Sequence, residues 1–297
     1  MEEKNNYPIH TCVQTDTNFP QDLFAIKNPP KTLYYRGTIT SPLLRIAIVG
    51  TRKASDFGLR LARRIAYECS LRGWCVVSGL AFGIDAQAHQ GSLDANGQTW
   101  AVLAHGLHTV QPKQHTPLAQ KIMTSGGCLL SEYTPETPAL AHQFLERNRI
   151  IAGVSSAVIV IEAPRASGSL TTARCAAQQE KPVFVFPGPV SSVLYEGSHE
   201  LIRSGARLVR SIEDIEKDLL QQSLVLSTNN NLIKLSELEE KILAFIAKKK
   251  NSVPFDEIFE YIHIPHHELI ETLNRLITMH YIQEDGLQTY CLLLPKK

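Results

Sequence analysis

Residues 73–89 read GWCVVSGLAFGIDAQAH, and the way this stretch folds decides the architecture. Trp74 to Val77 is a short, continuously apolar run. Such a run suits a strand buried on both faces of a parallel sheet, since a strand with one wet face would alternate. Ser78 to Gly83 crowds small residues and two glycines together, the composition of a tight turn. From Ile84 the spacing becomes helical, which puts Asp85 and His89 four apart on one helix face. Strand, glycine turn and helix make half of a βαβ unit.

The same grammar recurs along the chain. Apolar runs of strand length stand at 43–50 (LLRIAIVG), 98–106 (QTWAVLAHG), 128–132 (CLLSE), 156–163 (SAVIVIEA), 181–188 (KPVFVFPG) and 206–210 (ARLVR). Helical stretches lie between them, as at 57–73, where Leu59, Ala62, Ile65, Ala66 and Cys69 recur at helix spacing. Repeated strand–helix–strand connections predict an α/β domain over 43–220 with a doubly wound, mostly parallel sheet. Residues 1–42 are polar and proline-punctuated, with Pro29 and Pro30 blocking helix, and read as an extended arm over a sheet edge. A polar linker is expected at 221–231. Beyond it, helical runs and a hairpin around Asp285-Gly286 predict a small winged-helix domain at 232–297.

Composition narrows the function classes. The 297 residues are 43% hydrophobic and 20% charged, with a formal net charge of +1. An anionic partner must therefore be met by a local patch, without help from a global field. The N-terminus lacks the basic-then-apolar layout of a secretory signal, and no apolar run is long enough to span a bilayer. Cys12, Cys69, Cys75, Cys128, Cys175 and Cys291 form no CxxC pair. They read as reduced packing residues of a cytoplasmic protein, with no metal site and no cofactor expected. Residues 232–297 carry 8 Lys/Arg against 10 Asp/Glu, poor equipment for gripping a duplex and better suited to protein contact.

In a doubly wound sheet, ligands sit beyond the carboxyl ends of the strands. The loops there are GTRKAS (50–55), SGLAFGID (78–85), HGLHTVQPKQH (105–115), the segment 131–149, EAPRASGSLTTA (162–173) and PGPVSSVLYEGS (187–198). Most carry Gly with Ser or Thr, and Arg52, Lys53, Lys113, Arg147, Arg149 and Arg165 add positive charge. Backbone N–H groups and hydroxyls near helix N-termini suit phosphate. Several such loops in a row suggest a longer anion, a nucleic-acid backbone. Asp85 and His89 could be an acid and a base, but no partner nucleophile is marked beside them. The preferred reading is that Asp85 caps or orients the glycine turn and His89 makes a satisfied hydrogen bond.

Taken in order, IAIVGTRKASDFG, VVSGLAFGIDAQAH, LLSEYTP, FLERNRIIAGVS, VIVIEAPRASGSLTTA, VFVFPGP and GSHELIRSGARLV closely resemble the DNA-processing protein A (Smf) family. The resemblance implies an extended Rossmann-like fold and no catalytic residues. It implies single-stranded DNA binding without sequence preference, delivery of the strand to the RecA recombinase in natural transformation, and a homodimer formed through the Rossmann-like domain. By motif it assigns the DNA-binding residues as Gly50, Thr51, Arg52, Ser55, Ser78, Gly79, Lys113, Phe144, Arg147, Asn148, Ser167, Gly168 and Ser169. Arg52, Lys113 and Arg147 would neutralise phosphates, and Phe144 would stack on or wedge beside a base. Arg149 reads as a structural ion pair and Arg165 as a solvated charge.

The chain departs from the family's pattern in three places. FPxRN stands as FLERN, which puts Glu146 beside the site. Tyr-Pro-x-x-Asn stands as Gln111-Pro112-Lys113-Gln114-His115. The N-terminal helical SAM-like module of many members reads as absent or truncated. Two rival readings stay open. A phosphoribohydrolase of the same superfamily would place its PGGxGTxxE signature on Ala166–Ala173, where no Glu stands. A small-nucleotide sensor would keep the phosphate rim and drop the DNA.

Overall fold

The computed structural model describes residues 7–40, 44–230, 236–249, 252–278, 281–285 and 289–292. The chain divides into two compact units, Met1–Leu219 and Leu220–Lys297. In the first unit the elements follow the chain as β1 (His10–Val13), β2 (Thr32–Gly37), β3 (Arg45–Val49), α1 (Asp56–Leu71), β4 (Cys75–Ser78), α2 (Ile84–Asp94), β5 (Thr99–Val102) and α3 (Thr116–Thr124). They continue as β6 (Cys128–Ser131), α4 (Ala141–Val154), β7 (Ala157–Val160), α5 (Ser169–Gln178), β8 (Val183–Val185), α6 (Glu196–Arg203), β9 (Arg207–Leu208) and the first part of α7 (Ile212–Asn230), within which the unit boundary falls. Every apolar run read as a strand forms one.

The strands make a single nine-stranded sheet in the order β1-β2-β6-β5-β4-β3-β7-β8-β9. All pairings from β6 to β9 are parallel. The parallel strands from β3 to β8 are buried along almost their whole length, as their continuous hydrophobic runs require, while β9, at the margin, is partly exposed. In β3, Ala47 and Val49 pack into one core layer with Ile150 and Ile151 of α4 and Ala173 of α5. Ile46 and Ile48 pack into the opposite layer with Ile65 of α1 and Ala88 of α2.

The N-terminal arm does more than cover an edge. β2 pairs antiparallel with β6, and β1 pairs antiparallel with β2. Leu23, Ile26 and Leu33 are buried in the same layer as Trp100, and burying each such side chain contributes about 1.5–3 kcal/mol. Residues 10–37 are thus part of the sheet and core, and the expected boundary at 42 is not a break in the fold. The polar 221–231 stretch differs from expectation too: α7 runs on to Asn230. No Gly or Pro stands between Ile212 and Asn230 to stop it.

The second unit holds α8 (Glu237–Lys249), β10 (Val253–Pro254), α9 (Phe255–Ile262), α10 (His266–Thr278), β11 (Ile282–Asp285) and β12 (Thr289–Leu292). Its strands form a three-stranded sheet in the order β10-β12-β11, with a core that includes Ile242, Ile258, Leu269 and Leu273. Three helices and a hairpin were expected here; Gly286 of the expected turn lies outside the described residues. Among the described residues no helix is long and apolar enough to cross a membrane. Cys12, Cys69, Cys75 and Cys128 are buried thiols, and burial pushes the Cys75 thiol up to about 12. Such thiols are inert packing groups.

Candidate nucleic-acid interface

β3 lies at the switch point of the sheet. From it the chain winds through β4 and β5 to β6 on one side, then returns to β7 on the other. The carboxyl ends of β3 and β7 therefore open a crevice. Residues 50–53 and 162–169 form its lips, and the Thr51 N–H donates to the Glu162 carbonyl at 2.8 Å between them. The crevice is a cleft of about 790 Å³. Gly50, Thr51, Arg52, Phe144, Arg147, Asn148, Ser167, Gly168 and Ser169, all assigned from the sequence, line it. Lys53, Ala81, Asp85, Leu145 and Thr172 line it as well. The first of these was noted only as rim charge. Thr172 was legible in retrospect, one helical turn beyond Ser169.

The glycine turn explains how the lips come so close. Gly83 has φ of +77°, and a Cβ there would stand 2.4 Å from the Thr51 carbonyl oxygen. Only glycine lets this loop rest on the Thr51–Arg52 backbone. Asp85 then fixes the turn: its Oδ2 accepts from the Gly79 N–H at 3.1 Å and the Ala81 N–H at 3.4 Å. His89 is fully buried, with Nδ1 2.7 Å from Thr99 Oγ1. That hydroxyl donates onward to the Val76 carbonyl, so the imidazole carries its proton on Nδ1. Asp85 takes the turn-orienting role read for it; His89 makes its hydrogen bond through Nδ1, while its buried Nε2 has no partner among the described residues.

Arg147 lies under the cleft rather than projecting into it. It is 4% exposed and donates to the Gly79 carbonyl at 3.0 Å and to the Val102 carbonyl. β4 and β5 end at these points, so their last carbonyls lack ladder partners, and the guanidinium fork supplies donors. Arg147 and Asp85 flank the Gly79 Cα; a Cβ there would lie 2.6 Å from Arg147 Nη2 and 2.7 Å from Asp85 Oδ2. Burial pushes Arg147 down to about 10, with Asp85 opposing. Burial likewise raises the Asp85 carboxyl, against the pull of Arg147 and of its hydrogen-bond donors.

Arg52 and Lys53 are exposed cations of the cleft, and Arg52 is the one held against an aromatic ring. Its guanidinium lies 5.0 Å from the centre of the Phe144 ring, and it makes no ion pair among the described residues. The rim acids Glu132 and Glu162 are engaged elsewhere. Glu132 pairs with Arg149, the residue read from the sequence as a structural ion pair with no partner named. Glu162 is fully buried, and its carboxylate accepts from the Ser55 N–H at 2.9 Å, from the Ser55 hydroxyl and from the Tyr195 hydroxyl at 3.0 Å. Ser55 in turn caps α1 by accepting from the Gly58 N–H at 3.0 Å. Replacing Glu162 by leucine orphans these donors and is expected to cost about 1–3 kcal/mol in urea denaturation. A loss within measurement error would contradict this clamp.

The opposite lip is the N-terminus of α5. The Asn148 amide donates to the Gly168 carbonyl at 3.1 Å, and the Ser167 and Ser169 hydroxyls bond each other at 2.7 Å. A Cβ on Gly168 would meet nothing within 4 Å, so its backbone is uncovered at the positive end of the helix dipole. Four assigned residues do not line the cleft. Ser78 is fully buried and donates to the Ile48 carbonyl, Ser55 and Gly79 shape the lips from behind, and Lys113 stands outside on the β5–α3 connection. Glu146 accepts from the Tyr133 hydroxyl at 2.9 Å and is absent from the cleft lining. Arg165 pairs with Glu200 in solvent, a contact worth little.

Comparison with known proteins points the same way. The family model described as DNA recombination-mediator protein A matches residues 10–220. The Smf protein of Escherichia coli K12 is 42% identical over 214 residues, 71% of this chain and 57% of that protein; the chain thus spans little more than half of that relative's length. The DNA processing protein A structure from Streptococcus pneumoniae has a TM-score of 0.65 at 36% identity, covering 72% of this chain and 74% of that one. The Helicobacter pylori DNA processing protein A, described for its single-stranded DNA binding mode, has a TM-score of 0.66 at 30% identity, covering 73% and 97%. With the family's model matched from the β1 strand to α7, the chain belongs to the DNA recombination-mediator protein A family.

Proposed function

We propose that the cleft binds single-stranded DNA by its phosphates, without sequence preference, and that the protein delivers the strand to the RecA recombinase in natural transformation. The observation that carries the binding step is Arg52, exposed at the switch-point crevice with its charge uncommitted. Stacking on Phe144 holds the guanidinium in place while leaving its N–H fork for a phosphate. The facing lip offers backbone donors and hydroxyls, which contact phosphate whatever base it carries. Family membership supports the RecA hand-over, a homodimer through the Rossmann-like unit, a cytoplasmic location and a non-catalytic role. The acids of the rim favour binding over hydrolysis, since Glu162 is held by Ser55 and Tyr195 and Asp85 by Gly79 and Ala81.

The test is a titration of the full chain with single- and double-stranded oligonucleotides at low and high salt. Single strands should bind more tightly, and affinity should fall as salt rises because counterions are released. Arg52→Ala should weaken binding by about 1–3 kcal/mol and flatten the salt dependence, with the melting temperature unchanged. Equal affinity for duplex, salt-indifferent binding, or wild-type affinity in a folded Arg52→Ala protein would contradict the proposal.

A further inference from the structure

We propose that the strand-binding surface continues past the cleft onto Phe82, whose ring, braced by His115, stacks one further nucleobase. The inference rests on the single-strand reading of the cleft. Phe82 belongs to none of the assigned residues and lies outside the cleft lining, but its neighbour Ala81 is part of that lining. Its side chain is 46% exposed, a large apolar ring held in water. The loop that carries it is pinned on every side. Asp85 holds the Gly79 and Ala81 amides, the Gly83 backbone rests on Thr51 and Arg52, and His115 Nδ1 lies 2.8 Å from the Leu80 carbonyl oxygen.

The ring meets His115 at 4.8 Å between centroids and 66° between planes. This edge contact fixes the ring's orientation and leaves a face uncovered by that partner. A ring so fixed loses little conformational freedom when a base stacks on it. Lys113 opens the same single helical turn that ends at His115. It is exposed, without an ion pair among the described residues, and can meet the phosphate of the stacked nucleotide. Stacking on a phenyl ring tolerates any base, in keeping with phosphate-led binding in the cleft. On this placement a strand crosses the rim from the α5 lip, over Arg52 and Phe144, to Phe82. Lys113, which sits outside the cleft, then has a place on its path.

The experiment compares oligothymidylates of about 4 and about 12 nucleotides on the full chain. Phe82→Ala should bind the short oligomer as wild type does and bind the long one about tenfold more weakly or worse. Phe82→Trp should keep long-oligomer affinity, and its indole emission should be quenched on binding. The native Trp74 and Trp100 are buried, at 7% and 0% exposure, so the new indole is the solvent-facing reporter. Arg52→Ala should lose affinity at both lengths. If wild type binds the long oligomer and Phe82→Ala matches it, or the Phe82→Trp emission is unchanged at saturation, the Phe82 inference alone falls. If wild type binds neither oligomer, the cleft reading falls and this inference with it.

Discussion

Replacing Arg147 by methionine is expected to destabilise the protein by about 3–5 kcal/mol, the range seen when one partner of a buried charge pair is removed. The change leaves Asp85 buried without its countercharge and strips the Gly79 and Val102 carbonyls of their donor. The double variant Asp85→Asn/Arg147→Met should recover part of that loss, because a neutral amide oxygen still accepts from the Gly79 and Ala81 amides. Urea denaturation of the single and double variants checks this. If the double variant is no more stable than Arg147→Met, the cost does not come from Asp85 and the account of the cleft floor is wrong.

Acid should unfold this protein through His89. Burial, reinforced by the positive charges of His115 and Arg147, pushes the His89 imidazole down to about 3 from an ordinary value of 6.5. Between those limits the unfolded chain takes up a proton that the folded chain refuses, so stability falls as pH is lowered below about 6.5. At 1.36 kcal/mol per pH unit, the loss reaches about 3 kcal/mol by pH 4. Above pH 7 both states are neutral and the effect vanishes. His89→Gln has nothing to protonate, and its stability should decline far less over the same window. Parallel declines in the two proteins would show that His89 is not the titrating group.

What could be read from the residues depended on which physical signal each element carried. The strands from β3 to β8 were legible because burial on both faces writes a continuous apolar run; the short marginal β9 was legible only as the last repeat of the strand–helix alternation. β1 and β2 were not, since a strand at the antiparallel margin needs only alternate apolar residues and prolines at 29 and 30 masked the pattern. The rim loops followed from the rule that ligands gather beyond strand ends, and their glycines and serines do line one cleft. Side-chain direction was beyond reach. Ser78 is the last residue of β4 and points into the sheet toward the Ile48 carbonyl. The arginine of the FLERN motif reads as a phosphate ligand, but it points to the carbonyls where β4 and β5 end. Glu162 is a further side chain whose direction the sequence does not give. Its claim by Ser55 and Tyr195, which leaves Arg52 uncommitted, depends on contacts between residues 107 and 33 positions apart.

On the proposed function, a DNA strand lies in the crevice between the β3 and β7 loops. Amide hydrogen exchange of the full chain, with and without a saturating oligothymidylate, tests it most directly. Exchange should slow in residues 50–53, 79–83 and 167–172, with the paired β1 and β2 strands unchanged. Slowed exchange confined to the unit from Leu220 onward, with the three rim loops unaffected at saturation, would contradict it.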